Sequence, residues 1–519
     1  MYTRRRFLAT GGSAAAAYIL APTALDALAR PRAKVFAKGT FPDGVASGDP
    51  TPSGITLWTR LGDAEGSGGI RLEVARDKGF GHVVATKEIA TTASIDHTAK
   101  ARIAKLKPGE RYYYRFETAG SHSPVGRFQT AFPADSREPV RFGVISCQEY
   151  TLGYFNAHAL LVKEDVDFVL NLADYIYGDV ALPPPIGVRD GNFTTSEGRF
   201  SAFTVEEYRQ HYRAAKSDSN MRKLHAAFPM ISTWDDHEVQ NNYSGGDPHG
   251  GAVTGDPYSV ERRNNGYKAF FEQMPTFPAK TPYRLYHAAS FGRTMDLFVL
   301  DERQYRAANP CDDKSGPACA DLNDPRAFLG KDQLAFAKSG IKSSKATWKV
   351  IANEVVMMPI KLNDTDYDGF DAWQGFPVER EALLRVVQDV DNVVFATGDY
   401  HAFIAGDVRT AAGKTVAAEF VGGSVSSATE PETNAIIKKP GWGTIDDAHM
   451  PADELARRKA ANPWYDELDY DHHGYFVCEA SKSKFKTTFT KIKTIRQKST
   501  TVAARKSWTI PSGRNGLKP

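Results

Sequence analysis

From Val140 onward the chain consists of short apolar runs rich in β-branched residues: VRFGVIS, DFVLNLAD, MISTW, LFVLDE, KVIANEVV and VVFATGD. Between them lie segments of helical character, such as EEYRQHYRAAKSDSNMRKLHAAF and ERRNNGYKAFFEQM. A run that is apolar throughout, and not only at alternate positions, belongs to a strand covered on both faces. Strands of that kind alternating with helices predict an α/β layered domain, in which ligands gather beyond the carboxyl ends of the strands. Three runs end in metal-binding side chains: DFVLNLADYIYGD (Asp167 to Asp179), MISTWDDHEVQNN (Met230 to Asn242) and NVVFATGDYH (Asn392 to His401). Cys147 ends a fourth.

The region before Pro133 has a different texture. From Phe41 to Phe132, runs such as GITLWTRL, IRLEVARD and RYYYRFETAG are separated by Gly, Pro and Asp turns, the spacing of an all-β sandwich of about 90 residues. LKPGERYYYRF is similar to the late strand and turn of a fibronectin type III module, where a tyrosine packs at the sheet corner. The expected division is a leader over 1–29, an amino-terminal β-sandwich over 41–132 and a catalytic domain over 139–500. A tail from Ser507 to Pro519, with Gly and Pro and few apolar residues, predicts a frayed end.

The first 29 residues read as an address. Thr3-Arg4-Arg5-Arg6-Phe7-Leu8 matches a twin-arginine signal, followed by an alanine-rich segment from Ala9 to Ala24 and the processing site Ala27-Leu28-Ala29. The expectation is a periplasmic or secreted protein whose partner in export is the twin-arginine translocase. The uncharged segment falls short of the roughly 20 residues that span a bilayer, so no transmembrane segment is expected in the mature chain. Removing 1–29 takes away three arginines and Asp26 from a formal charge of +3 and leaves about +1, too little to predict a nucleic-acid partner. The basic stretch Lys482–Lys506, with KFKTTFTKIKTI, reads as an exposed antiparallel edge strand guarded by lysines. Of the four cysteines, Cys311 and Cys319 bracket a polar loop and form the natural disulfide pair. Cys478 reads as a small buried hydrophobe, with a Cys147–Cys478 bridge as the alternative.

Each motif has a plain structural reading beside the chemical one. Asp174 can share its two oxygens between two cations, and Tyr177 offers a hard anionic phenolate suited to ferric iron, yet a strand ending in Asp and a turn is common. Asp235, Asp236, His237 and Glu238 put three carboxylates and an imidazole in four positions, which repel unless a cation sits among them. The competing reading is a helix start, with Asp235 as cap and Glu238 three residues later. Asn242 offers a carbonyl ligand or a turn. Asp399 and His401 stand at i and i+2, on one side of an extended chain. What unites Cys147, Asp174, Tyr177, Asp236, Asn242, Asp399 and His401 is that each follows a predicted strand, so one sheet edge can gather them all.

These motifs, with FPDGVASGDPTPSGITLWTRL, SDSNMRKLHAAFP, LDERQYR, WKVIANEVV, EFVGGSVSS and HHGYFVCEA in order, make the chain resemble the PhoD-type alkaline phosphatases of the calcineurin-like metallophosphoesterase superfamily. The resemblance covers nearly the whole mature chain. It implies a two-sheet α/β metallophosphoesterase sandwich flanked by helices. It implies Fe3+ held by residues matching Cys147, Asp174, Tyr177, Asp399 and His401, and Ca2+ sharing Asp174 and reaching Asn242 and Asp236, with Asp235 as the alternative to Asp236. DAWQGF (Asp371 to Phe376) fits the family's aromatic segment at the mouth of the site, and Glu302 stands where many relatives carry Thr. The expected reaction is hydrolysis of phosphomonoesters, with phosphodiesters as a further class, by attack of a metal-activated hydroxide. Asp236 and His237 are the candidate catalytic residues, His237 contacting phosphate or protonating the leaving oxygen. A phospholipase D-like phosphodiesterase acting on phospholipids is the alternative enzyme, and a non-catalytic surface binding protein the alternative of another class.

Overall fold

A computed structural model describes residues 34–517, except 181, 183, 185, 196–200, 248–256, 279–282 and 439–447. The twin-arginine segment and processing site lie outside the described residues. Two large sheets face each other. The first has nine strands in the order Val502–Pro511, Lys484–Ile492, His473–Ala480, Val140–Ile145, Phe168–Leu172, Pro229–Thr233, Val45–Thr51, Gly54–Arg60, Thr98–Ile103. The second has seven, with Met295–Val299, Trp348–Asn353, Val393–Thr397 and Thr415–Val421 forming its parallel core. Between them pack Phe142, Phe168, Leu170 and Ile231 from one side and Leu297, Val350, Val394 and Phe420 from the other. Helices cover both outer faces with separate apolar layers, so the strands are buried on both sides, as their sequences predict. Each fully buried Leu, Val or Phe here contributes about 1.5–3 kcal/mol.

Parallel neighbours Val140–Ile145, Phe168–Leu172 and Pro229–Thr233 end side by side, and Val393–Thr397 ends beside them from the facing sheet. The residues that follow these four ends build the site.

The amino-terminal region divides between two sheets. A four-stranded sheet, Val83–Thr92, Ser67–Ala75, Arg111–Glu117 and Gly126–Gln129, makes one layer of a sandwich, and the Tyr112 hydroxyl accepts the Lys107 N–H at 3.0 Å, the corner contact expected of a tyrosine there. The other layer is Val45–Thr51, Gly54–Arg60 and Thr98–Ile103, and these strands continue the nine-stranded sheet: Ser47 and Gly48 pair in parallel with Pro229 and Met230. The two regions therefore share backbone hydrogen bonds.

One local reading is refined and two are corrected. The stretch after Val205 is two helices, Val205–Ser217 and Ser219–Ala227, because Asp218 takes an extended ψ and its carboxylate accepts the N–H groups of Asn220 and Met221, starting a new helix. Lys484–Ile492 is covered on both edges; the exposed edge strand is Val502–Pro511, one strand further on. The carboxyl tail is docked, with the Leu517 N–H on Asp407 at 2.7 Å and the Gly513 N–H on Asn392 at 2.7 Å. Cys311 and Cys319 are bonded, and Cys147 and Cys478 are free and buried.

Candidate metal centre

Six of the positive-φ residues other than glycine stand in the loops that follow these strands: Cys147 (58°), Ala173 (84°), Asp174 (49°), Asn242 (53°), Asp399 (64°) and His401 (53°). Left-handed backbone is unfavourable for residues with a Cβ, and its concentration here shows that the surrounding fold dictates where these side chains point. The turns are tied to one another through the backbone. Cys147 N–H reaches Ala173 O at 3.2 Å and Gln148 N–H reaches Asp174 O at 3.0 Å. Glu238 accepts the N–H groups of Asp174 (3.2 Å), Tyr175 (2.7 Å) and Asp235 (2.9 Å). Glu238 thus reaches back as in a capping box, but no helix follows; its carboxylate clamps two loops.

The donors fall into three overlapping groups whose ligand atoms lie within 4.8 Å of one another: Cys147, Asp174 and His401; Asp174, Asp236 and His237; and Asp235, Asp236 and Asp399. The Tyr177 hydroxyl joins the first, 3.2 Å from Asp174 Oδ2 and 3.0 Å from His401 Nε2. Seven of the sequence-predicted residues are therefore brought to one place, although Asp399 lies with Asp235 and Asp236 and not with Cys147. Asn242 approaches through its backbone, its N–H donating to Asp236 at 2.7 Å, while its side-chain amide donates to Asp313 at 2.5 Å.

The electrostatics call for a cation. Burial, with Asp174 adding to it, pushes the Cys147 thiol well up, and burial likewise raises Asp174, Tyr177 and Asp399, each with neighbouring acids adding to the effect. Burial lowers His401 to about 4, and its Nδ1 faces Ala428 O at 2.7 Å, so Nδ1 carries the proton and Nε2 presents a lone pair inward. Asp235 Oδ2 and Asp236 Oδ1 are buried without a hydrogen-bond partner. Buried donors whose charged forms are disfavoured, a neutral imidazole and orphaned carboxylate oxygens are the chemistry of a metal site, and they fit the implied ions: sulfur, phenol and imidazole on one side, oxygen donors on the other.

His237 behaves differently. Burial opposes its charge, but Asp179, Asp236 and Asp174 outweigh it and hold its pKa well above the usual histidine value. Its Nδ1 is 2.6 Å from Asp179 Oδ1, and its ring stacks on Tyr177 at 4.0 Å. Asp179 also accepts the Asn241 N–H at 2.6 Å, which fixes the carboxylate behind the imidazolium.

Sequence reasoning missed Arg303. Fully buried, it binds Asp235 through Nε and Asp371 through Nη2 at 2.7 Å, and stands 3.9 Å from both Asp236 and Asp399. Its signal was present in LDERQYR, where two arginines follow directly on a buried strand and must find acids. Asp371 is the acid that DAWQGF supplies, and the two aromatics of that segment are not at the mouth: Trp373 and Phe376 are buried, and Trp373 Nε1 donates to Glu302 and Asn353, both at 3.0 Å.

Comparison with known proteins identifies the family and the fold. Residues 142–489 match the PhoD-like phosphatase family and residues 27–132 its N-terminal domain. The chain is 30% identical over 505 residues to alkaline phosphatase D of Bacillus subtilis (strain 168), covering 93% of this chain and 83% of that protein. It superposes on the structure of PhoD with a TM-score of 0.80 at 28% identity, covering 92% of this chain and 91% of the other. The yellow lupin purple acid phosphatase PPD1 shares the fold at 13% identity, with a TM-score of 0.54 over 89% of this chain and 73% of its own. The chain belongs to the PhoD-like phosphatase family, hydrolases of phosphate esters.

Proposed function

We propose that the protein is an exported alkaline phosphatase that releases phosphate from monoesters, with phosphodiesters as a second substrate class. The observation that carries the reading is the set of overlapping donor groups formed by Cys147, Asp174, Tyr177, Asp236, Asp399 and His401, with one buried oxygen each of Asp235 and Asp236 left without a hydrogen-bond partner. Cys147, Asp174, Tyr177 and His401, with Asp399, are assigned to a ferric ion. Asp174, Asp236 and Asn242 are assigned to calcium. Asp236 is preferred over Asp235 because it belongs to two of the donor groups, whereas Asp235 is engaged by Arg303.

When bound, the cations supply Lewis acidity, offsetting charge on the phosphate oxygens and lowering the pKa of water so that a nucleophile is available near neutral pH. The chain's own residues do the rest. Asp179 accepts the Nδ1 proton of His237 and holds the ring, so Nε2 carries the proton that a leaving alkoxide needs. Stacking on Tyr177 fixes the plane of that ring. Arg303 holds Asp235 and Asp371 in place and adds positive charge beside Asp236 and Asp399. Export rests on the twin-arginine segment Thr3 to Leu8.

The test is elemental analysis of the purified protein, paired with hydrolysis of p-nitrophenyl phosphate and bis-p-nitrophenyl phosphate with and without calcium. Stoichiometric iron and calcium-dependent turnover support the reading, and the ratio of the two rates decides between a phosphatase and a phospholipase D-like diesterase. Zinc alone, or no tightly held metal and no turnover, overturns it.

A further inference from the structure

The helix Val260–Gln273 ends against the amino-terminal strands, and its last carbonyls are taken by side chains from outside the helix. Trp58 Nε1, from strand Gly54–Arg60, donates to Glu272 O at 2.8 Å. Lys100 Nζ, from strand Thr98–Ile103, donates to Phe271 O, to Met274 O at 3.3 Å and to Thr276 O at 2.5 Å. Lys216 Nζ, fully buried in helix Val205–Ser217, donates to Gln273 O at 2.8 Å. Carbonyls at a helix end lack partners within the helix and attract cations, so this arrangement fixes the end of the helix in space.

The same helix touches the metal loops. Tyr267 lies flat on Trp234, the residue before Asp235, with ring centres 4.1 Å apart and planes 6° from parallel. Gly266 sits mid-helix, where glycine costs about 1 kcal/mol against alanine. A Cβ there would stand 2.5 Å from Glu238 O, so the helix backbone lies directly against the Asp235–Glu238 turn. Lys216 makes a second connection: its ammonium is boxed by the rings of Trp58, Tyr175 and Tyr212 at 4.6, 5.0 and 5.1 Å, and Tyr175 adjoins Asp174. The Tyr175 hydroxyl is fixed by His225 Nε2 at 2.8 Å.

We propose that the amino-terminal β layer is a working part of the site: Trp58 and Lys100 of that layer, with Lys216 of the helix packed on it, are positioning residues that set the spacing between the Asp174 turn and the Asp235–Asp236 turn. The inference rests on the phosphoesterase reading of that site. It predicts that stability and activity separate. A buried ammonium is costly, and burial lowers Lys216 to about 7, so replacing it with a methylene chain of similar length should not weaken the fold. It does remove the Gln273 cap and the charge against Tyr175.

The test uses the full chain, with Lys216→Met and Trp58→Phe compared with wild type for thermal midpoint, kcat, KM and iron retained during timed dialysis against a chelator. The expected result for Lys216→Met is an unchanged or higher midpoint, kcat lower by about 10- to 100-fold with KM within about threefold, and faster iron loss. Trp58→Phe should reproduce the kinetic and iron effects in weaker form. Unchanged kcat and iron retention in both variants overturns the proposal. So does failure of both to fold, which would assign these residues to stability alone. A wild-type protein with no iron and no turnover would instead break the underlying phosphoesterase reading.

Discussion

The two halves of the donor cluster obtain their positive charge in opposite ways. Cys147, Tyr177 and His401 lie against acids and against one another, and burial holds the thiol and the phenol in their protonated forms. Asp235 and Asp371 instead share Arg303, a cation the chain itself provides, which also stands near Asp236 and Asp399. The half without an arginine, with only the His237 charge beside Asp174, is expected to hold its ion more tightly and to depend on it more fully. A half already partly neutralised is expected to exchange its ion readily, and to need it for turnover more than for structure.

The harshest test of that contrast is Asp174→Asn, because Asp174 belongs to donor groups on both sides. We expect kcat/KM to fall by about 10³-fold or more, with iron content falling in parallel. Retention of full iron with only calcium dependence lost would place Asp174 in one half only. Next in size is Arg303→Gln, which leaves Asp235 buried and unpaired and should cost about 3–5 kcal/mol in the metal-free protein. Urea unfolding with and without calcium measures it. Calcium should restore part of the loss, and an equal loss in both conditions would show that no ion takes the arginine's place. The smallest expected effect concerns acid. Burial lowers His401 inside the cluster and His158 and His211 outside it to about 4, so the unfolded chain binds more protons between about 6.5 and 4 and stability falls as pH drops through that window. His158→Phe should remove up to about 3 kcal/mol of this acid sensitivity while leaving turnover intact. Circular dichroism along an acid titration reads it, and an unmoved midpoint would show that His158 does not carry the acid limb.

The sequence was most legible where chemistry and backbone coincide. Phe168–Leu172 and Val393–Thr397 are buried at every position and apolar but for Asn171 and Thr397, because both faces are covered, and the side chains after them have nowhere to go but the common edge. Arg303 was not legible as a site residue, because its acids Asp235 and Asp371 are 68 residues away on either side and only the packing of two sheets joins them. Glu238 looked like part of a cap for the same reason: the local half of its role, reaching the Asp235 N–H, is written in sequence, whereas its bonds to the Asp174 and Tyr175 N–H groups are tertiary. The break at Asp218 depended on whether its carboxylate would cap forward or face solvent, which helical periodicity does not decide. The amino-terminal strands were read as a sandwich, and their local pattern supports that, but their continuation into the larger sheet is a pairing of edges that side-chain alternation does not encode.

That continuation bears on how the chain reaches its native state. Ser47 pairs with Pro229, and Val144 pairs with Phe476, so the nine-stranded sheet is completed by segments from opposite ends of the polypeptide. Pairings this remote in sequence close slowly, and until the last of them forms, the strands before the metal loops keep unpaired edges. This sheet should therefore finish folding only after Val502–Pro511 has been made, and a nascent chain stalled before Phe476 would be a substrate for chaperones or proteases, not an early form of the enzyme.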